Sequence, residues 1–108
     1  MSTLELYAYT TEIYERQGLV KVGHCIEGRH EQRIKEQFGT SNPEKPKYRL
    51  IGVLPEGVQD YNIHEQLKKN GIKKKLDGSG KEWFYATFDD IQVAYNDIVY
   101  NVHRKHHY

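Results

Sequence analysis

Tyr7 and Tyr9 stand two residues apart near the start of the chain, and Lys21 follows between Val20 and Val22. A free tyrosine titrates at about 10 and gives up its proton readily only where nearby cations stabilise the phenolate. Arg29 and Arg33 come next, and a guanidinium fork is well matched to phosphate oxygens. Asp60 and His64 are four residues apart, so on a helix they share one face, one turn apart. Glu65 points about 100° away from His64. Lys35 and the run Lys73-Lys74-Lys75 add positive charge, as do Lys45, Lys47, Arg49, Lys68 and Lys69. Such residues give phosphate affinity that falls steeply with salt and carries little sequence choice. His24, Cys25 and His30 offer too few ligands, at no recognised spacing, for a zinc site. Cys25 reads instead as a small buried residue.

The elements that must position these groups fit one domain spanning residues 1–108. A chain of 108 residues with 37% hydrophobic and 29% charged residues has globular composition and room for one modest core. A single cysteine cannot form an internal disulfide, which fits a reducing compartment. The start MSTLELYAYT lacks the basic and apolar stretches of a signal peptide, and no apolar run nears the ~20 residues needed to span a bilayer. A cytoplasmic protein without membrane association is expected. The net charge of +1 does not announce nucleic-acid binding, but a basic patch can sit within a neutral average. The polar tail Arg104 to Tyr108 is consistent with a fragment of a longer protein.

Leu4 to Thr10 alternates and reads as a strand, with Tyr7 and Tyr9 on one face. A polar stretch with Gly18 leads to a second strand, Leu19 to Cys25, making a hairpin with a moderately long loop. Ile34, Gln37 and Phe38 carry helical spacing, and Gly39 is a C-cap candidate. Tyr48 to Leu54 is a third strand, ended by Pro55. A second helix carries Val58, Ile63 and Leu67 and ends at Gly71. The turn signal Asp77-Gly78-Ser79-Gly80 precedes an aromatic strand, Glu82 to Thr87. Asp89 or Asp90 can cap a third helix running to about Tyr100, with Ile91, Tyr95, Ile98 and Val102 at helical spacing. The order β-β-α-β-α-β-α reads as an α/β fold, a small and mainly antiparallel sheet flanked by helices.

Tyr7-Ala8-Tyr9 followed by Val20-Lys21-Val22-Gly23 resembles the paired signature strands of GIY-YIG nucleases. The match is to a divergent phage- and helicase-associated DNA-binding branch, in which Lys-apolar-Gly replaces Tyr-apolar-Gly. Arg33-Ile34, Asp60-x-x-Ile63-His64-x-x-Leu67 and Gly80-Lys81-Glu82-Trp83-Phe84 resemble its later motifs, so the likeness runs from Leu6 to Phe84. It implies an endonuclease that uses a divalent metal, Mg2+ or Mn2+, on a helix carboxylate, here Asp60. It implies that Arg33 grips the scissile phosphate, with Arg29 competing for the role. Tyr9 would orient or deprotonate the attacking water, and Lys21 would supply charge beside it. His64 would bind phosphate, shuttle a proton or hold Asp60, and Glu82 would pair with His64 or Arg33. Tyr7, Arg29, Lys35 and Lys73 to Lys75 would contact DNA. Three features depart from the pattern: no Gly-Ile precedes the first tyrosine, Gly23 to Arg33 is about two residues long, and aspartate stands where the branch has glutamate.

The leading expectation is therefore a metal-dependent DNA endonuclease domain of a restriction or repair protein. The alternative is a DNA-binding module on the same fold with weakened or lost catalysis. A protein-interaction domain would show no contiguous basic surface around Tyr9, Lys21 and Arg33. A double-strand cut would need two sites, hence a dimer or two sequential nicks.

Overall fold

The computed structural model describes residues 3–38, 45–75 and 83–105. Strand β1 (Leu4–Thr10) and strand β2 (Leu19–Ile26) are joined by a short helix, α1 (Glu12–Arg16). Helix α2 (His30–Phe38), strand β3 (Lys47–Val53), helix α3 (Asp60–Lys69), strand β4 (Trp83–Tyr85) and helix α4 (Phe88–Lys105) follow. The sheet order is β3-β1-β2-β4 with every neighbouring pair antiparallel. The expected α/β class with a small antiparallel sheet flanked by helices is what the chain adopts.

Two local features differ from the expectation. The polar stretch between the first strands holds α1, because Thr11 Oγ1 accepts from the Tyr14 N–H at 3.2 Å and starts a helical turn. Helix α4 is capped by Thr87 rather than by an aspartate. Thr87 Oγ1 accepts from Asp90 N–H at 3.2 Å, and Asp90 Oδ2 accepts from Thr87 N–H at 2.9 Å. This reciprocal pair satisfies two otherwise orphaned donors and makes Asp90 the third helical residue. Helix α3 ends in the expected place, with Gly71 after the last turn and Ile72 N–H donating to the Leu67 carbonyl at 2.9 Å. The expected Gly39 cap and the Asp77-Gly78-Ser79-Gly80 turn lie outside the described residues.

Alternation along the strands divides the core into two layers. Leu6, Ala8, Val20, Val22 and Phe84 face α3 and α4, where Ile63, Leu67, Ile91 and Ala94 cover them. Tyr7, Tyr9, Leu19, Cys25 and Trp83 face the other way and meet Ile34 of α2 and Tyr14 of α1. The first layer is aliphatic and closely covered. The second is aromatic, and among its described members α1 and α2 contribute only Tyr14 and Ile34. The fold therefore leaves one sheet face beneath two small helices, and it is this face that carries most of the groups singled out in the sequence.

Candidate phosphate-binding face

Register sets the first cluster. Tyr9 pairs with Lys21 and Lys21 with Trp83, so the three share the α1/α2 face across three strands. Lys21 Nζ lies 5.4 Å from the Tyr9 ring centre. Tyr9 meets Trp83 edge-on at 6.0 Å, and Trp83 in turn packs on Tyr14 at 4.4 Å. Tyr7 lies nearly parallel to Tyr9, 6.1 Å away, and faces Gly23 across the strands. Its ring rests on the glycine: a Cβ built at Gly23 would come within 2.6 Å of Tyr7 Cζ and Oη. Gly23 is thus required by close approach.

Tyr9 is 3% exposed. Burial, followed by the neighbouring Tyr7, pushes its pKa well above the ordinary tyrosine range. The desolvated phenolate is disfavoured, so the hydroxyl stays protonated at neutral pH and can orient a water or phosphate oxygen as a hydrogen-bond donor. The folded pKa is raised above the unfolded value of about 10, so the folded state holds this proton more tightly. Stability is expected to be intact below about pH 10 and to decline as pH rises past it. Tyrosinate absorbance in the folded protein should show Tyr9 titrating last, after Tyr48 and Tyr95, whose pKa values are also raised, and Tyr9→Phe should remove the latest step.

The second cluster belongs to α2. Arg33 N–H donates to the Arg29 carbonyl at 3.0 Å. The two arginines that the sequence left as alternatives are therefore adjacent turns of one helix face. Both side chains are exposed, and Arg33 has a loose contact with Glu36 at 3.4 Å, an exposed pairing of small worth. Arg33 also acts on Cys25. Burial, then Glu5, raise that thiol's pKa, while the Arg29 backbone N–H and the Arg33 charge pull it back more weakly. Cys25, which Arg33 influences, is four residues along β2 from Lys21, about 13 Å, with Tyr7 between the two on the same face.

Lys73 to Lys75 extend this surface at the far edge. Lys75 N–H donates to the Trp83 carbonyl at 2.8 Å and Tyr85 N–H to the Lys73 carbonyl at 2.9 Å, while Lys74 bridges to Phe84. The lysine run is thus laid alongside β4. Lys73 and Lys74 are exposed and Lys75 half-buried. Alternation gives Lys74 the Phe84 side and Lys73 and Lys75 the Trp83 side. Lys35 is exposed on α2.

Asp60 and His64 occupy the opposite layer. Asp60 opens α3 and its Oδ2 is 3.2 Å from Nδ1 of His24, a residue whose register partner is Leu6. His64 packs on Phe84, ring centres 5.1 Å apart. The sheet therefore stands between this pair and the Tyr9, Lys21 and Arg33 side chains. Among the described residues no three His, Cys, Asp or Glu side chains gather as a metal cage. Asp60 offers one carboxylate, which suits a hard cation only with waters and a substrate phosphate completing its shell. That donor set does not fit a cation shared with the α2 face. Glu82 lies outside the described residues.

One buried charged residue escaped the sequence reading. Glu5, 1% exposed, accepts from the backbone N–H groups of Gly28 and Arg29, the latter at 3.1 Å. His30 Nδ1 approaches its other oxygen at 3.2 Å. A glutamate at an inward strand position beside Tyr7 and Tyr9 was the available signal, because a buried carboxylate requires donors.

An antiparallel α/β domain with arginines and lysines ranged along one sheet face belongs to the class of small domains suited to a polyanion. The family model for the T5orf172 domain matches residues 6–99, and the chain belongs to that family, one of nuclease-like, DNA-binding domains. This corrects the GIY-YIG membership read from Tyr7-Ala8-Tyr9 and Lys21-Val22-Gly23: the matching family is T5orf172, and no GIY-YIG family model matches. Tyr7 resting on Gly23 gives a packing reason for a tyrosine–glycine pair in such a hairpin, and so short a pattern does not define a family. No curated protein and no solved structure matches the chain. No helix among the described residues is long and apolar enough to cross a membrane.

Proposed function

We propose that this domain binds the DNA backbone along its α1/α2 face, and that phosphodiester hydrolysis with Mg2+ or Mn2+ is the activity to test beside binding. The observation that supports the reading is that exposed Arg29 and Arg33, at the start of α2, and half-buried Lys21, beside Tyr9, lie on the same side of the sheet. Guanidinium groups would grip a phosphate at one end. Lys21 would neutralise charge at the other, where the protonated Tyr9 orients the attacking water. A bound cation supplies Lewis-acid polarisation of the phosphate and lowers the pKa of water. Asp60, across the sheet beside His24, and His64, one turn on, would hold a cation only on the opposite layer, away from this face. Glu82, next to Trp83 in the chain, is the other carboxylate to test.

A second reading, DNA binding without cleavage, is favoured by the separation of Asp60 from the basic face. Nicking of supercoiled plasmid with Mg2+ or Mn2+ separates the two, using wild type, Arg33→Ala, Asp60→Ala and Glu82→Gln. Metal-dependent nicking that Arg33→Ala abolishes supports hydrolysis at the α2 face, and whichever carboxylate variant also loses it identifies the ligand. No nicking with retained, salt-sensitive DNA binding leaves the binding module. Nicking that survives every variant would sink the site assignment.

A further inference from the structure

Helix α2 has little apolar glue. Of its residues with described side chains only Ile34 is buried, the remainder being exposed apart from half-buried His30. A helix of nine residues is marginal by itself in water and depends on tertiary anchors. Its other strong tether is electrostatic. Glu5 projects from β1 beneath the helix start and receives the Gly28 and Arg29 N–H groups, with His30 Nδ1 3.2 Å from its other oxygen. Gly28 has φ of +89°, with open space where a Cβ would be. That left-handed backbone turns the chain so that two successive N–H groups converge on one carboxylate oxygen. A carboxylate this deeply buried would be costly without such donors, and the helix N-terminus favours its negative charge. The far side of His30 rests against the Tyr48 ring at 5.7 Å, and Tyr48 Oη donates to Glu31 at 2.9 Å. The first turn of α2 is therefore pinned to β1 and β3, and Arg29 and Arg33 sit on that first turn and the next.

We propose that Glu5 is a positioning residue for DNA binding: it locks the start of α2 to β1 and so holds Arg29 and Arg33 at the distance and angle at which they meet the backbone phosphates. The inference rests on the DNA-binding reading above and adds to it the residue that presents the arginines. Glu5 itself touches no DNA, since it lies under the helix. Its effect must therefore pass through the two guanidinium groups.

The test is a double-mutant cycle on affinity for a labelled DNA duplex at fixed salt, with Glu5→Gln, Arg29→Ala/Arg33→Ala, and the triple variant. Glu5→Gln keeps the shape and removes the charge. It is expected to weaken binding on the order of three- to ten-fold in the wild-type background and to have little effect once both arginines are gone. Amide hydrogen exchange over residues 28–36 should accelerate in Glu5→Gln while the sheet amides stay protected. If Glu5→Gln fails to fold, His30→Ala removes the imidazole beside the carboxylate and should give a smaller loss with the same dependence on the arginines. Equal loss in both backgrounds would reveal a general structural role and overturn the proposal. So would unchanged binding by Glu5→Gln. If Arg29→Ala/Arg33→Ala binds like wild type, the DNA-binding face is wrong and the proposal falls with it. Accelerated exchange would then still show that Glu5 anchors α2.

Discussion

Replacing Arg29 and Arg33 together by alanine is expected to weaken DNA binding to a similar degree on every sequence and to flatten its salt dependence. Each phosphate contact contributes about 0.9 to the slope of log K against log salt on duplex DNA, so losing two should reduce the slope by about 1.8. The uniformity follows from what guanidinium groups on this face can reach. They project from an exposed helix surface one turn apart, and contacts to phosphate position a protein without reading bases. Binding isotherms at several salt concentrations, on two unrelated duplexes, provide the check. A variant that lost affinity for one duplex alone would instead make these arginines base readers. An unchanged slope would remove them from the interface.

Gly23→Ala is expected to destabilise the fold by about 1–3 kcal/mol, the usual cost of forcing a methyl group into a filled core. The new Cβ would sit 2.6 Å from Tyr7 Cζ and Oη and 2.9 Å from Cε2. Tyr7 cannot swing away freely, because it is 1% exposed and packed against Tyr9. The melting temperature should fall by about 4–8 °C for each kcal/mol. Pairing the change with Tyr7→Leu, which shortens the side chain at the contact, should recover part of the loss, as residues in contact are not additive. Loss of stability that Tyr7→Leu does not relieve would show that the glycine is needed for some reason other than the ring above it. Because Tyr7 lies between the arginine and lysine clusters, the alanine variant should also weaken DNA binding even where it remains folded.

Much of the architecture was legible in local chemistry. Period-two alternation of β1 placed Tyr7 and Tyr9 together, and the i to i+4 spacing of Asp60 and His64 placed them on one helix. Pro55 and Gly71 marked real boundaries, since β3 stops at Val53 and α3 at Lys69. Helix α1 was hidden because its signal is a single threonine cap in a polar stretch. Asp89 or Asp90 reads as the cap because aspartate is good at both ends of a capping box, and only the Thr87 hydrogen bonds show that Asp90 is the third helical residue.

The sequence by itself determined the element types, the α/β class and the identity of the groups that bear chemistry, because each depends on neighbours within a few residues. Tertiary structure decided which of those groups can act together. Strand register put Tyr9, Lys21 and Trp83 on one face, while the packing of α3 put Asp60 and His64 behind the other. The same packing made Arg29 and Arg33 joint occupants of a surface rather than rivals, and it gave the buried Glu5 carboxylate backbone donors 23 and 24 residues away. Such pairings arise from which side of the sheet each helix covers, and spacing along a chain carries no record of that choice.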